Sequence, residues 1–374
     1  MRNIFEGTKK VVIKVGSTLL VKDGEVRYSW LESLVSDVRL LIDSDIEVVV
    51  VASGAVALGR SYFDEGSKRL TISQKQAAAA VGQINLMASF QKIANIGGSQ
   101  IAQVLLSASD FDDRKRYDNL NNIFRELSLK KITPIVNEND SVSIEEIQIG
   151  DNDRLAARVA QTCDADLLIL FSDIDGLYNK NPNLHKDAKF IHVVENITRE
   201  IENMAGGSSS TYGTGGMKTK ITAAKMASIS GCKTIIASGI GNNPVISIMQ
   251  EDAKYTLFNA SKESLAERKQ WLSGFLEEKG EVIVDKKAVE ILSKGGVSLL
   301  PVGIVKISGD FNEGDLIFVR DENGDHIASG HANYDHVSAK KVIGKRSDEV
   351  REILGDIKSE LIHVDNLVLI KAVF

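Results

Sequence analysis

Two kinds of segment alternate along roughly the first 250 residues, and this alternation constrains the fold more than any other feature. Short runs of β-branched and aliphatic residues are separated by longer amphipathic stretches. The rhythm predicts an α/β fold in which a mostly parallel sheet is sandwiched by helices. The apolar runs are VVIKV, IEVVVVA, SQIAQVLL, ITPIVN, ADLLILF and KTIIASG.

The pattern of apolar and charged residues changes after the last of these runs. The charged stretch SKESLAERKQWLSGFLEEKG predicts a connecting helix or linker. Closely spaced strands with Gly, Asn and Asp turns follow it, which predicts a second, small, β-rich domain. We therefore predict a first domain over 1–258, a linker over 259–278, a second domain over 279–356 and a C-terminal tail over 357–374.

Composition narrows the class of protein. The chain has 374 residues and 43% hydrophobic content, enough for more than one core, and it lacks an apolar run of about 18 residues that could span a bilayer. Its only cysteines are Cys163 and Cys232, which argues against a disulfide framework, and we expect a cytoplasmic protein. A net charge of −6 without a long basic run disfavours nucleic acid and membranes as partners, and favours small ligands.

A lysine near the end of the first apolar run is the first candidate site residue. Lys14 lies in VVIKVGS, where a strand covered on both faces would bury it, so its ammonium group must find a partner, reach water or serve a ligand. Gly16 and Ser17 follow, and a glycine turn before a helix can present N–H groups to an anion. The alternative is a tight turn with a lysine whose head extends to solvent.

Polar residues also follow the other apolar runs. Ser53, Asn137, Asp140 and the pair Ser172-Asp173 lie where predicted strands end. Because ligands of open α/β sheets bind at the carboxyl ends of the strands, we expect these turns to converge on one crevice. For Ser53 the alternative is a purely structural helix N-cap.

Two polar clusters lie close together in IVNENDSV and IGDNDRLAARVA. Their carboxylates and amides could bind an ammonium group, orient a lysine or coordinate a cation. Alternatively, Asp151 or Asn152 is the N-cap of the helix that follows. The residues concerned are Asn137, Asn139, Asp140, Asp151, Asn152 and Asp153.

A Gly/Ser/Thr segment, SSSTYGTGGMKTKITAAKMA, runs into a predicted helix that carries several lysines. It matches neither common phosphate-binding loop, because Met217 stands where a Walker A motif has glycine before Lys218-Thr219. Flexible backbone, hydroxyl groups, a helix start and lysines nevertheless suit a polyphosphate. The alternative is a mobile surface loop.

Taken in order, these segments resemble the amino acid kinase family over most of the first 260 residues. Within 279–356, SLLPVGIVKISGDFNEGDLI is similar to a PUA domain, a small β-barrel. The segments that carry the first resemblance are VVIKVGS, ASGAVALGR, KQAAAAVGQ, PIVNENDSV, IGDNDRLAA, LLILFSDIDGLY and GTGGMKTK.

The resemblance implies ATP-dependent phosphorylation of the γ-carboxylate of L-glutamate, the first step of proline synthesis. It implies that Lys14 and Lys220 flank the moving phosphoryl group as catalytic residues and that Asp153 orients both lysines. The implied glutamate-binding residues are Ser53, Asp140, Asn152 and, more weakly, Asn137. The implied ATP-binding residues are Lys14, Ser172, Asp173, Thr214, Gly215, Gly216, Met217, Lys218, Thr219 and Lys220.

The same resemblance implies ATP and Mg²⁺ as cofactors, with Mg²⁺ bridging phosphate oxygens and no dedicated protein metal site. It raises proline as a candidate feedback inhibitor and implies a homo-oligomer, either a dimer or a tetramer. The alternatives are another phosphotransferase of the family or an RNA-binding regulator. Residues 279–346 carry ten Lys/Arg and ten Asp/Glu, and that neutral balance disfavours RNA.

Overall fold

The structure is a computed structural model with two compact units. One comprises Met1–Ala108 with Asn119–Lys262, and the other Ser109–Asp118 with Glu263–Phe374. The linker predicted over 259–278 lies outside the described residues from residue 261 onward. The structure describes residues 4–63, 70–112, 114–142, 152–182, 184–205, 216–250, 252–260, 280–293, 295–355, 359–364 and 367–369.

An eight-stranded sheet forms the centre of the first unit, in the order β10-β12-β11-β7-β1-β4-β6-β5. The strands from β11 to β5 in that order run parallel, and β12 is antiparallel to β11. Two short pairs, β2-β3 and β8-β9, lie outside it. The bounds are β1 Lys10–Val15, β2 Val21–Lys22, β3 Glu25–Val26, β4 Glu47–Ala52, β5 Gln100–Leu106, β6 Ile132–Glu138, β7 Leu167–Ser172, β8 Leu177–Tyr178, β9 Phe190–Ile191, β10 Val193–Val194, β11 Lys233–Ser238 and β12 Tyr255–Phe258.

Helices connect these strands and bury their apolar stripes. In the second helix, Trp30, Leu34, Val38 and Leu41 recur at helical spacing and are buried. None of the described helices is long and apolar enough to cross a membrane. The helices up to the end of the sheet are α1 Ser17–Leu20, α2 Tyr28–Asp43, α3 Ala55–Gly59, α4 Ile72–Ile96, α5 Ser109–Asp112, α6 Arg114–Leu129, α7 Asn152–Thr162, α8 Arg199–Met204, α9 Met217–Ile229 and α10 Pro244–Met249.

The central strands explain why their sequences are continuous aliphatic runs. β1, β4 and β7 are covered on both faces, and almost every residue in them is buried. Both cysteines, Cys163 and Cys232, are buried free thiols. The predicted parallel α/β sheet with helices is confirmed.

The second unit holds a five-stranded sheet in the order β14-β13-β15-β16-β17. Within the segment predicted as a tail, 357–374, the strand β17 pairs with β16, and Leu361 and Ile362 are fully buried in the core of this unit. A second, small domain with its own sheet is thereby confirmed. Its elements are β13 Gly280–Val284, α11 Lys286–Ser293, β14 Ile304–Gly309, β15 Leu316–Arg320, β16 His326–His331, α12 His336–Lys341, α13 Ser347–Leu354 and β17 Leu367–Leu369.

Candidate active site

The parallel strands of the first unit bring their carboxyl ends to one edge of the sheet. In the β-sheet register, Val15 of β1 lies opposite Ala52 of β4 and Phe171 of β7. Ser238 of β11 lies opposite Ser172 of β7. The polar turns that follow these strands therefore share one edge, as the sequence predicts for the described turns.

A buried cluster of two lysines and one carboxylate lies at this edge. Asp153 is in the first turn of α7, and its Oδ1 lies 2.7 Å from Lys14 Nζ. Its Oδ2 lies 3.1 Å from Nζ of Lys220, which comes from α9. The exposed fractions are 6% for Lys14, 2% for Lys220 and 1% for Asp153, so all three groups are removed from water. The ammonium group of Lys14 is therefore paired with Asp153, and the alternative of a lysine whose head extends to solvent is wrong.

The electrostatics of the cluster favour an anionic ligand. Burial alone would raise the pKa of Asp153, but the nearby Lys14 and Lys220 outweigh it and hold that pKa below its usual range. Burial lowers the pKa of Lys220, and the Asp153 carboxylate acts against that effect. Both ammonium groups contact the Asp153 carboxylate, and two buried cations side by side attract an anion such as a phosphoryl group.

The start of α9 continues the cluster. Gly216 is its N-cap, and the Thr219 hydroxyl lies 2.8 Å from both Asp153 Oδ2 and the Gly216 carbonyl oxygen. Of the predicted nucleotide loop, Thr214 and Gly215 lie outside the described residues. Gly216, Met217, Thr219 and Lys220 lie at or beside the helix start, and Lys218 is exposed there.

An amide network occupies the neighbouring ends of β4 and β6. The Asn152 Nδ2 group lies 2.8 Å from Ala52 O, 2.8 Å from Ser53 Oγ and 2.9 Å from Asn137 Oδ1, and its two hydrogens are shared among these acceptors. Asn152 is the first residue of α7, and its Oδ1 has no hydrogen-bond partner among the described residues, so this side chain does not cap the helix. The other candidate N-cap, Asp151, lies outside the described residues. Gly54, with φ of +111°, is the N-cap of α3, so the alternative that Ser53 is a purely structural N-cap is wrong.

One member of the network is a glutamine to which the sequence analysis gave no role. Gln83 Oε1 accepts a hydrogen bond of 2.8 Å from Asn137 Nδ2. Gln83 reaches Asn137 because α3 and α4 cross at Gly59 and Gly82, where a Cβ on either glycine would meet the backbone of the other helix. The glycines in ASGAVALGR and KQAAAAVGQ were a signal for this close crossing.

Asp140 lies two residues beyond the end of β6 and is buried. Its Oδ1 has no hydrogen-bond partner among the described residues. Burial, with a smaller effect from Glu138, raises the pKa of Asp140 to about 7. A buried carboxyl group in this state suits a ligand that brings a positive charge.

Ser172 and Asp173 lie at the end of β7, on the opposite side of β1 from the amide network. Ser172 is buried, and its carbonyl oxygen accepts a hydrogen bond of 2.9 Å from Gly239 N. Asp173 is exposed, and its charge acts on Lys220. The edge is therefore divided, with amides and Asp140 on one side of the lysine pair and Ser172 on the other.

The chain is similar to proteins of known families in both of its units. Residues 9–238 match the model of the amino acid kinase family, and residues 280–354 match that of the PUA domain. The chain is 44% identical over 363 residues to proteins named glutamate 5-kinase from Brucella ovis and Brucella canis, covering 96% of each chain. A UMP kinase structure from Ureaplasma parvum aligns with 67% of this chain and 99% of its own, at 12% identity and a TM-score of 0.45.

Proposed function

The chain belongs to the amino acid kinase family, and on that premise we propose that it transfers the γ-phosphoryl group of ATP to the γ-carboxylate of L-glutamate. The acyl phosphate formed would enter proline synthesis. The identity of 44% to proteins named glutamate 5-kinase supports the choice of substrate. The observation that carries the chemistry is the buried Asp153 carboxylate held between Lys14 and Lys220.

The reaction needs little covalent help from the protein. An oxygen of the glutamate γ-carboxylate attacks the γ-phosphorus, the bond from that phosphorus to the β,γ-bridging oxygen breaks, and ADP leaves. No proton has to move during the transfer. Both reactants are anions, so catalysis depends on alignment and on neutralising negative charge.

The lysine pair would provide that neutralisation. With Asp153 between them, Lys14 and Lys220 are held at fixed positions, and little reorganisation is needed when charge develops on the phosphoryl oxygens. Asp153 is a positioning residue in this proposal, since both of its oxygens already contact lysines. It would therefore not be available to hold a metal ion.

Glutamate would lie on the amide side of the lysine pair. Ser53, Asn137 and Asn152 supply polar groups that can be directed at its carboxylates, and Gln83 fixes the orientation of Asn137. Asp140 would pair with the α-ammonium group, which supplies the positive charge that this buried carboxyl group lacks. Binding of the ammonium group would therefore shift Asp140 toward its charged form.

ATP would lie on the other side, along Ser172, Asp173 and the start of α9 from Gly216 to Lys220. We propose that Mg²⁺ enters with the nucleotide, where it would help to neutralise the charge of the phosphate groups. Among the described residues there is no group of three His, Cys, Asp or Glu side chains that could hold a metal ion.

An assay of ADP release tests the proposal directly. L-glutamate should support turnover in the presence of Mg²⁺, whereas aspartate, N-acetylglutamate, carbamate and UMP should support little. With hydroxylamine as trap, γ-glutamyl hydroxamate should accumulate. A strong preference for one of the other acceptors would refute the substrate assignment. The same assay with added proline tests the predicted feedback inhibition, and light scattering tests the predicted homo-oligomer.

A further inference from the structure

The N-terminal half of α2 holds the loop that follows β11. Trp30 is almost completely buried, and its indole Nε1 lies 2.6 Å from Gly239 O and 3.0 Å from Gly241 O. One N–H group thus faces two carbonyl oxygens of the same loop. An indole is large and rigid, so this contact fixes the start of the loop relative to α2.

Two further residues of α2 hold the end of the same loop. Ser33 Oγ accepts a hydrogen bond of 3.0 Å from Asn243 N, and Asp37 Oδ1 accepts one of 2.9 Å from Asn243 Nδ2. Asp37 Oδ2 also accepts a hydrogen bond of 2.8 Å from Val245 N. Residues 30, 33 and 37 lie on one face of a helix because their spacing is three and four. The loop is therefore attached to α2 at both ends.

The loop is packed tightly against the strand ends that carry the candidate site. A Cβ atom on Gly239 would lie 2.6 Å from Leu19 Cδ1 and 3.1 Å from Phe171 Cβ, so the backbone of Gly239 lies directly on both side chains. Leu19 belongs to the turn of helix that follows β1, and Phe171 precedes Ser172. Gly239 N also donates to Ser172 O, and Gly16 N donates to Phe171 O at 3.3 Å.

We propose that Trp30, Ser33 and Asp37 are positioning residues for the nucleotide half of the site, and this rests on the function proposed above. They act through the loop from Gly239 to Asn243 on the ends of β1 and β7. Lys14 and Ser172 are located at those two strand ends. The amide side of the site is built on β4 and β6, which lie on the other side of β1 from β7 and β11.

The substitution Trp30→Phe tests the proposal because it removes the N–H donor and keeps an aromatic ring. We expect kcat/KM for ATP to fall about tenfold, the usual effect of losing one or two neutral hydrogen bonds. The KM for glutamate should stay within about twofold of wild type. The matched control is Tyr28→Phe, which removes the contact of 3.2 Å between α2 and Ser89 of α4 and should leave both parameters unchanged.

Two more substitutions disrupt the same set of contacts at other residues. Gly239→Ala forces the loop away from Leu19 and Phe171, and Ser33→Ala removes one acceptor at the far end. Both should reproduce the selective loss, and Trp30→Phe combined with Gly239→Ala should be less than additive because both act on one contact. These variants decide the question if Trp30→Phe does not fold.

Calorimetric titration with ATP in the absence of glutamate separates this inference from the proposed function. A wild-type protein that does not bind ATP would refute both. An active wild type whose variants lose thermal stability but keep kcat and the KM for ATP would refute the positioning role alone. An equal loss in the KM values for glutamate and ATP would also refute it, since the effect would then not be confined to β1, β7 and β11.

Discussion

The buried carboxyl group of Asp140 should couple the folding stability of the protein to the binding of its substrate. Its pKa lies at about 7, against an ordinary value of 3.8. The charged form of Asp140 is therefore disfavoured in the free folded protein. The resulting loss of folding stability begins as the pH rises above about 3.8 and is complete above pH 7. A difference of that size corresponds to at most about 4 kcal/mol. The substitution Asp140→Asn removes the cost and keeps the shape of the side chain.

We expect Asp140→Asn to be more stable than wild type at pH 8, by up to about 4 kcal/mol, with a gap that shrinks as the pH falls toward 4. Urea unfolding at pH 5, 6, 7 and 8 measures the gap. The exposed Asp252 provides the matched control, because Asp252→Asn should leave the free energy of unfolding nearly unchanged at each pH. Glutamate added to wild type at pH 8 should recover stability, since its ammonium group pairs with the carboxylate.

Activity should change in the opposite direction. In wild type the KM for glutamate should fall as the pH rises through about 7, because the bound ammonium group requires Asp140 to be charged. In Asp140→Asn that KM should be high and nearly independent of pH, while the KM for ATP changes little. A variant that is less stable than wild type at pH 8, or a stability gap that does not depend on pH, would refute the reasoning. Either result would mean that the carboxylate is already stabilised in the free protein.

Three further predictions follow from the site. Lys14→Ala and Lys220→Ala should each lower kcat by a factor of about 10² to 10³ with smaller effects on KM, because charge on the phosphoryl group is greatest in the transition state. The control in the same steady-state assay is Lys233→Ala, at the end of β11 away from the site. Asn152→Ala should raise the KM for glutamate and not that for ATP, and the reverse pattern would place the amide network on the nucleotide side. Gly82→Ala should lower the free energy of unfolding by about 1 to 3 kcal/mol in chemical denaturation, because its methyl group meets the backbone of α3.

The sheet and the location of the site could be predicted because they depend on local patterns. A continuous aliphatic run of strand length indicates a strand covered on both faces, and the run that contains Lys14 is β1, Lys10–Val15. Parallel strands place the turns that follow them at one edge whatever their order in the sheet. Ser53, Asn137 and Ser172 could therefore be placed together before the strand order was known.

The choice between a functional and a structural role could not be made from sequence patterns alone. Whether Lys14 reached solvent or a partner depended on Asp153, which is 139 residues away in the chain. The role of Gln83 depended on how closely two helices cross. The hydrogen bond from Trp30 to Gly239 joins residues that are 209 positions apart in the chain, and no sequence pattern near either residue indicates it. Such contacts arise from packing in three dimensions, which hydrophobic periodicity does not specify.

The crossing of α3 and α4 at Gly59 and Gly82 bears on how the acceptor specificity of this enzyme could be redesigned. Neither glycine leaves room for a larger residue, so the distance between the helices cannot be tuned by repacking, and the placement of Gln83 against Asn137 is fixed with it. A library intended to accept a shorter or longer dicarboxylate should therefore leave both glycines unchanged. Under the proposed function, Ser53 and Asp140 are the positions to vary, because both would contact the acceptor and neither supports the helix crossing.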